Sequence, residues 1–430
     1  MRILRPSFKQ LRLASITAIL GLSAALTGCA QSSGASSGKK IVITLWYWAD
    51  SLSPQQLNDV SKAFPNVQLK AEVIGGNFEE KLISSMYADD APDITAINSD
   101  NFVATMVHDH DQFVNLLKFP EVRAAKKDYL SWKWNLASTP DGSYQVAIPI
   151  DTGPTVLYYN TKLFKEAGLP TDPAQVSAKL KTWSDYMAAA VQMKQKINVP
   201  MFDNVYTVYE AALDQGKQYY FNSNLQPIYA HNPVVKNAWN LAVKVHQDGL
   251  AENVSQWTTA WSAAAAHDGF ASFIGASWMV PQLEQSDPRQ GVWKVAAAPG
   301  GPSDQGGSFL GVTKDSKHPE LAAKIALWLM SPKHQAETYP SLGLYPSTPA
   351  SYKMPIMNKP SKYFGGEDIN TYLSASAKGI KMGFESPYDN TVDTIFSNQL
   401  SLVALSNKNP QTAWNDAIQQ ANQQLARVLA

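Results

Sequence analysis

From Ile41 onward the chain alternates short β-branched and aromatic runs with stretches of helical period. Residues 41–48 (IVITLWYW) are one unbroken run of this kind and predict a strand, because such side chains fit a pleated, half-buried surface. Ser53, Pro54 and Gln56 then open a helix, with Ser as N-cap, Pro at the first helical position and Gln at the capping-box position. Residues 67–74 predict a second strand, 77–88 an amphipathic helix, and 93–98 a third strand after Ala91 and Pro92. This β-α-β-α-β beginning predicts an α/β fold with a mostly parallel, doubly wound sheet flanked by helices.

Helices dominate the long middle: 183–194, 233–247 closed by Gly249, and a segment around 262–266. Strand-like residues 144–150 and 155–160 flank a break at Gly153-Pro154, and 293–298 and 309–313 flank the Pro/Gly-rich loop 299–307. Both breaks are expected to carry the chain between two lobes. No internal repeat with a period of roughly 20 to 50 residues is visible, which excludes a solenoid.

The N-terminus follows a different pattern. Arg2, Arg5, Lys9 and Arg12 precede an apolar stretch over 13–26, which closes on Leu26-Thr27-Gly28-Cys29. This is the pattern of a bacterial lipoprotein signal, and the stretch is shorter than the about 20 residues a membrane span needs. Residues 1–28 are therefore expected to be removed and Cys29 to carry a lipid. Two or more acyl chains would hold the chain on the outer face of the cytoplasmic membrane. Residues 29–40, with the run QSSGASSG, make a flexible tether. Cys29 is the only cysteine, so the exported part is expected to rely on core packing and not on disulfides.

Composition narrows the partners. Lys plus Arg and Asp plus Glu both number 36, and no long run of either sign occurs, so nucleic acid has no electrostatic footprint here. The 12 Trp and 18 Tyr, many at predicted strand ends and loops, point to a neutral partner. The run GASSG at 34–38 matches a nucleophile elbow in letters but lies in the tether. No metalloprotease, phosphate-loop or dinucleotide motif appears. His108-Asp109-His110-Asp111 reads as a solvated helix end, not a metal site, and Glu79-Glu80 and Asp89-Asp90 as helix-surface charge, not a glycosidase pair. No catalytic residue, metal or cofactor is expected.

The stretch Tyr144-Gln-Val-Ala-Ile-Pro149, followed by 157–170 (LYYNTKLFKEAGLP), resembles the most recognisable segment of family 1 extracellular solute-binding proteins, the maltose-binding-like receptors of ABC importers. Ala91-Pro-Asp-Ile94, residues 269–278, residues 311–324 and Trp328-Leu-Met-Ser-Pro-Lys333 fall in the family's order, up to the closing helix over 410–427. Gly269-Phe-Ala-Ser-Phe273 departs from the usual Gly-Lys-Ala-Ala-Met. The resemblance implies a two-lobed, periplasmic-binding-protein-like α/β fold, each lobe a mostly parallel sheet with helices, hinged around a ligand cleft. Residues 41–150 with about 299–343 would form one lobe, and about 151–298 with 344–430 the other. It implies a monomer that captures a sugar or oligosaccharide and delivers it to membrane permease subunits without chemistry. Two alternatives stay open: a surface-anchored carbohydrate-active hydrolase, and the same fold holding a glycerol phosphodiester or a polyamine. The latter predicts a basic or acidic cleft, against which the low-charge strand ends argue.

A sugar presents C–H faces that aromatic rings cover and hydroxyls whose unpaired burial costs about 1 to 3 kcal/mol each. By position in the resemblance, Trp48 and Asp50 at the first strand end, Asn98 and Asp100 at the third, and Trp278 are candidate contacts. Asp151 after the crossover, Tyr206, Tyr388, and Ser308 with Gly307 complete the set. Trp46 and Trp48 would otherwise pack one sheet face, Ser99-Asp100 cap a helix, and Trp278 fill a core. The abundance of aromatics suggests room for more than one pyranose ring.

Overall fold

The computed structural model describes residues 40–99 and 102–429; the signal, Cys29, the tether up to residue 39 and Asp100 lie outside the described residues. Nine strands order the described chain: β1 (Ile41–Tyr47), β2 (Val67–Val73), β3 (Ile94–Asn98), β4 (Ala147–Pro154), β5 (Val156–Asn160), β6 (Ser272–Gly275), β7 (Trp293–Ala296), β8 (Asp304–Val312) and β9 (Tyr345–Pro346). They form a six-stranded sheet in the order β2-β1-β3-β8-β4-β9 and a three-stranded sheet in the order β6-β5-β7. Each sheet is the centre of one lobe.

The opening behaves as its pattern predicts. β1 buries alternate residues Ile43, Leu45 and Tyr47 and pairs in parallel with β2 and β3. Ser53 caps the helix Pro54–Ala63, but the Gln56 side chain donates to the His334 carbonyl and does not complete a capping box. The helix Trp183–Ile197 does carry one, between Thr182 and Asp185.

The expectation of mostly parallel sheets needs correcting. Beyond β3 every pairing in the large sheet is antiparallel, and β5 runs antiparallel to both β6 and β7. Parallel direction follows where one helix returns the chain to the same end of a sheet, as from β1 to β2 and from β2 to β3, which pair on either side of β1. β4 and β8 arrive by other routes. Several short helices precede β4, and β8 enters directly from the other sheet, so neither is bound to that direction.

Both expected crossings occur, each slightly displaced from the residues that marked it. Gly153 and Pro154 stay in β4, with Thr152 opposite Gly307 and Pro154 opposite Asp304 across a register shift. Gly153 is required there: a Cβ would lie 2.0 Å from the Gln305 carbonyl oxygen and 2.5 Å from the Trp278 ring. The chain changes sheet at Thr155, whose N–H donates to the Ser303 carbonyl at 3.0 Å. Two of the connections between the lobes therefore run side by side. The predicted loop over 299–307 is already strand from Asp304.

Three aromatic-rich cores support these sheets. One lies around β1, β3, β4 and β8 with Trp134; the second packs Tyr186, Tyr209, Trp239, Phe396 and Trp414 against one face of the small sheet; the third packs Trp261, Phe273, Trp293, Tyr345 and Tyr352 against the other. Much of the Trp and Tyr content is thus structural: Trp134, Trp239, Trp261 and Trp293 are each at most 1% exposed. No helix of the described residues is long and apolar enough to cross a membrane.

Candidate functional site

A cavity of about 850 Å³ opens between the two sheets and is lined by elements of both lobes. On the side of the large sheet, the chain leaves β1 in a turn closed by Ser51, whose N–H and hydroxyl both donate to the Trp48 carbonyl, with Asp50 at φ +64°. The turn aims Trp48 and Asp50 into the cavity. Trp48 also meets Phe78 edge-on at 5.3 Å, so its packing role and its place on the wall coexist. Trp46 faces elsewhere, under the Lys81 ammonium at 4.7 Å.

Asn98 ends β3 opposite Ser308 of β8, and Ser308 in turn lies opposite Asp151 of β4. The Ser308 hydroxyl donates to Asp151 Oδ1 at 2.6 Å. Behind them Lys133, fully buried, donates to Ser99 Oγ at 2.9 Å and the Gly306 carbonyl at 2.8 Å, and stands 3.6 Å from Asp304 Oδ2. Gly307, at φ +92°, leaves room for that ammonium: a Cβ would come within 2.7 Å of it. Burial pushes the Asp151 carboxyl up to about 7, against the opposing pull of Lys133.

The opposite wall is made of helices and loops. The helix Val205–Asp214 turns Tyr206, Glu210, Leu213 and Asp214 to the cavity, positions that share one helical face. Tyr206 and Tyr220 each donate a hydroxyl to Asp393, at 3.1 and 2.6 Å. Glu385, Asp389, Asn390 and Asp393 come from the start of the helix Asp389–Ser406 and the residues before it. Glu210, together with burial, holds the Tyr206 phenol far above its usual range. Burial, then Glu210 and Asp393, hold the Asp214 carboxyl well above its ordinary value. Gln305 of β8 spans the gap: its Oε1 accepts from Ala276 N–H at 3.2 Å and its Nε2 donates to Glu210 at 3.3 Å.

Trp278 stands where β6 runs into the helix Met279–Ser286, beside Gly153 at the junction of the lobes, half-buried and lining the cavity. Of the residues expected from the sequence, Trp48, Asp50, Asn98, Asp151, Tyr206, Trp278 and Ser308 come together here. Tyr388 does not. Its ring turns inward against Phe221 at 5.9 Å, because it precedes the helix whose next residues, Asp389 and Asn390, face the cavity.

Sequence reasoning missed the acidic wall and Trp257. Trp257 is 59% exposed at φ +65°, a conformation rare for a bulky residue, and it lines both the main cavity and a neighbouring groove of about 530 Å³. Tyr206 was expected in a loop but lies in the helix Val205–Asp214, and the four-residue spacing of Tyr206, Glu210 and Asp214 was the available signal for the acidic wall.

Residues 55–365 match the family described as bacterial extracellular solute-binding protein. The lactose-binding protein of Rhizobium radiobacter is 23% identical over 297 residues, 65% of this chain and 66% of that one. The arabinooligosaccharide-binding protein of Bacillus subtilis (strain 168) is 22% identical over 340 residues, 74% of this chain and 75% of that one. A crystal structure of an extracellular solute-binding protein of family 1 superposes with a TM-score of 0.84 at 27% identity, covering 89% of this chain and 99% of its own. The lobes, the cavity between them and these matches agree: the chain belongs to the bacterial extracellular solute-binding protein family.

Proposed function

We propose that this protein is the receptor of an ABC importer, which captures a sugar or oligosaccharide between its lobes and hands it to membrane permease subunits without altering it. The observation that carries the reading is the interlobe cavity. Trp48, Trp257 and Trp278 offer flat surfaces there, among carboxylate, amide and hydroxyl groups suited to sugar hydroxyls. The lactose and arabinooligosaccharide named for the two relatives point to the same ligand class. The groove beyond Trp257 gives a second ring or branch a place to extend.

Trp48, Asp50, Asn98, Asp151, Tyr206, Trp278 and Ser308 are the proposed contacts. Hinge closure about the Pro154-to-Val156 and 297–303 connections would bury the solute from both sides. The N-terminal signal pattern supports lipid attachment at Cys29 and a place on the outer face of the membrane, and the receptor is proposed to be a monomer.

The test is a thermal-shift screen against mono-, di- and oligosaccharides, glycerol phosphodiesters and polyamines, with chromatography of every hit. A ligand at about 100 times its Kd adds roughly 2.7 kcal/mol. A stabilising sugar recovered intact establishes the receptor; a consumed sugar moves the protein to the hydrolases; stabilisation by charged, sugar-free solutes alone removes the carbohydrate.

A further inference from the structure

The cavity is far more charged than the chain that builds it. Eight carboxylates line it: Asp50, Asp151, Asp304 and, across from them, Glu210, Asp214, Glu385, Asp389 and Asp393. Among the described residues no Lys, Arg or His joins them on the lining. Lys133, behind the wall, stands beside Asp304. One further observation points to a missing partner. Asp389 is 2% exposed and lines the cavity; its Oδ2 accepts from the Ser386 N–H at 2.7 Å, while its Oδ1 has no hydrogen-bond partner. An ionised buried carboxyl with one oxygen unpaired is costly, so Asp389 either stays protonated or takes a donor from a ligand.

We infer that the solute carries a protonated amine beside its sugar hydroxyls, and that this ammonium sits against Asp389, Asp214 and Glu210. The inference rests on the sugar-receptor reading and narrows it to amine-bearing sugars.

Closing the cleft on a neutral sugar expels water and lowers the local dielectric, so the acids there must either repel one another more strongly or take up protons. An ammonium reverses the sign of that effect, because it gives each neighbouring carboxylate an opposite charge and up to three charge-assisted hydrogen bonds. Tyr206, Tyr219 and Tyr220 on the same wall provide aromatic faces that a cation also favours. Burial first, and then neighbouring carboxyls, hold Asp214 and Asp389 above their ordinary range, and a cation among them would pull both back down. Among the described residues no three His, Cys, Asp or Glu side chains converge closely enough to hold a metal ion, so the charge is spread over a wall, to the scale of an organic cation.

The test is calorimetric titration of the full chain with matched sets: glucosamine, galactosamine and their β-1,4-linked dimers and trimers, each beside its unaminated and N-acetylated counterparts, with spermidine as a sugar-free amine. An amine sugar is expected to bind at least tenfold tighter than both neutral counterparts. That advantage should shrink as salt is raised and collapse in Asp389→Asn, with Asp214→Asn as an independent variant should the first fold poorly. Neutral sugars binding as tightly as their amine counterparts overturn the inference and leave the sugar receptor standing. Spermidine binding tighter than every sugar overturns both, and failure of every amine sugar to bind overturns the inference.

Discussion

The two walls of the cavity are made in different ways. The wall of the large sheet takes its groups from strand ends and the turns beyond them, where the ladder sets each position: Asn98, Ser308 and Asp151 stand side by side across three strands. Two of its three charges are answered, since Ser308 donates to Asp151 and the buried Lys133 stands beside Asp304. The wall of the small-sheet lobe takes its groups from helix faces and the start of a helix, and it gathers Glu210, Asp214, Glu385, Asp389 and Asp393 without a cation on the lining. Its partial compensation comes from hydroxyls, with Tyr206 and Tyr220 both donating to Asp393. Strand ends thus deliver a compensated, preorganised surface, and helix faces deliver surplus charge that a ligand can answer.

The sharpest way to break this contrast is to remove the cation. Lys133→Met keeps the buried stem but leaves Asp304 and Asp151 with no opposite charge, and losing one partner of a buried pair costs about 3 to 5 kcal/mol. Urea unfolding of the variant should show a loss of that size. A loss below about 1 kcal/mol would mean that the first wall tolerates uncompensated charge as well as the second.

The contrast also explains what could be read from the chain. Strand ends are legible, because a β-branched run ends where its pattern ends. The strand ends at Trp48 and Asn98 were located that way, and the resemblance made them, with Asp151, Ser308 and Trp278, candidate contacts. The acidic wall was not found, because Glu210 and Asp393 sit in helices whose exposed faces ordinarily carry charge, and only the packing of lobes decides that one such face borders a cleft. Zero net charge concealed it further, since a balanced chain can place its acids together. Sheet direction failed for a similar reason: the sequence marks strands but not the end from which β8 enters. Tyr388 was one turn of local geometry from the cavity, and its neighbour Asp389 took that place.

A second prediction concerns pH. Asp151 and Asp389, one on each wall, are both raised by burial from 3.8 to about 7. A raised carboxyl binds more protons in the native state than in the unfolded one between those values, so its stability contribution is full below the unfolded value and is lost as pH rises toward 7. The ligand-free protein should therefore melt highest near pH 4 to 5 and lose on the order of 3 kcal/mol by pH 8. Asp389→Asn should flatten part of that slope. A melting temperature that rises from pH 5 to 8 would contradict the account.

The seam between the walls gives the next effect. Gly153→Ala drives a methyl toward the Gln305 backbone and the Trp278 ring, which must shift β8 against β4. About 1 to 3 kcal/mol of stability should be lost. Affinity for the captured solute should fall as well, because Trp278 and Gln305 belong to the cavity. Unchanged affinity would show that the seam positions neither side chain for binding.

Asp214→Asn gives the smallest effect, and the opposite sign. Asp214 lies half-buried on the second wall, its carboxyl raised by burial and by Glu210 and Asp393. At pH 7 the folded protein must either hold this group protonated or accept repulsion from its neighbours, whereas the unfolded chain ionises it freely. The amide removes that penalty at little change in shape. With screening by water in the open cleft, the variant should be more stable by about 1 kcal/mol at pH 7. The gain should vanish near pH 3.5, below the unfolded value, where the acid is protonated in both states. Charge removal would then destabilise one wall and stabilise the other. A loss of stability in Asp214→Asn at pH 7 would instead mean that the carboxylate has a partner worth more than the repulsion, and the second wall would be compensated like the first.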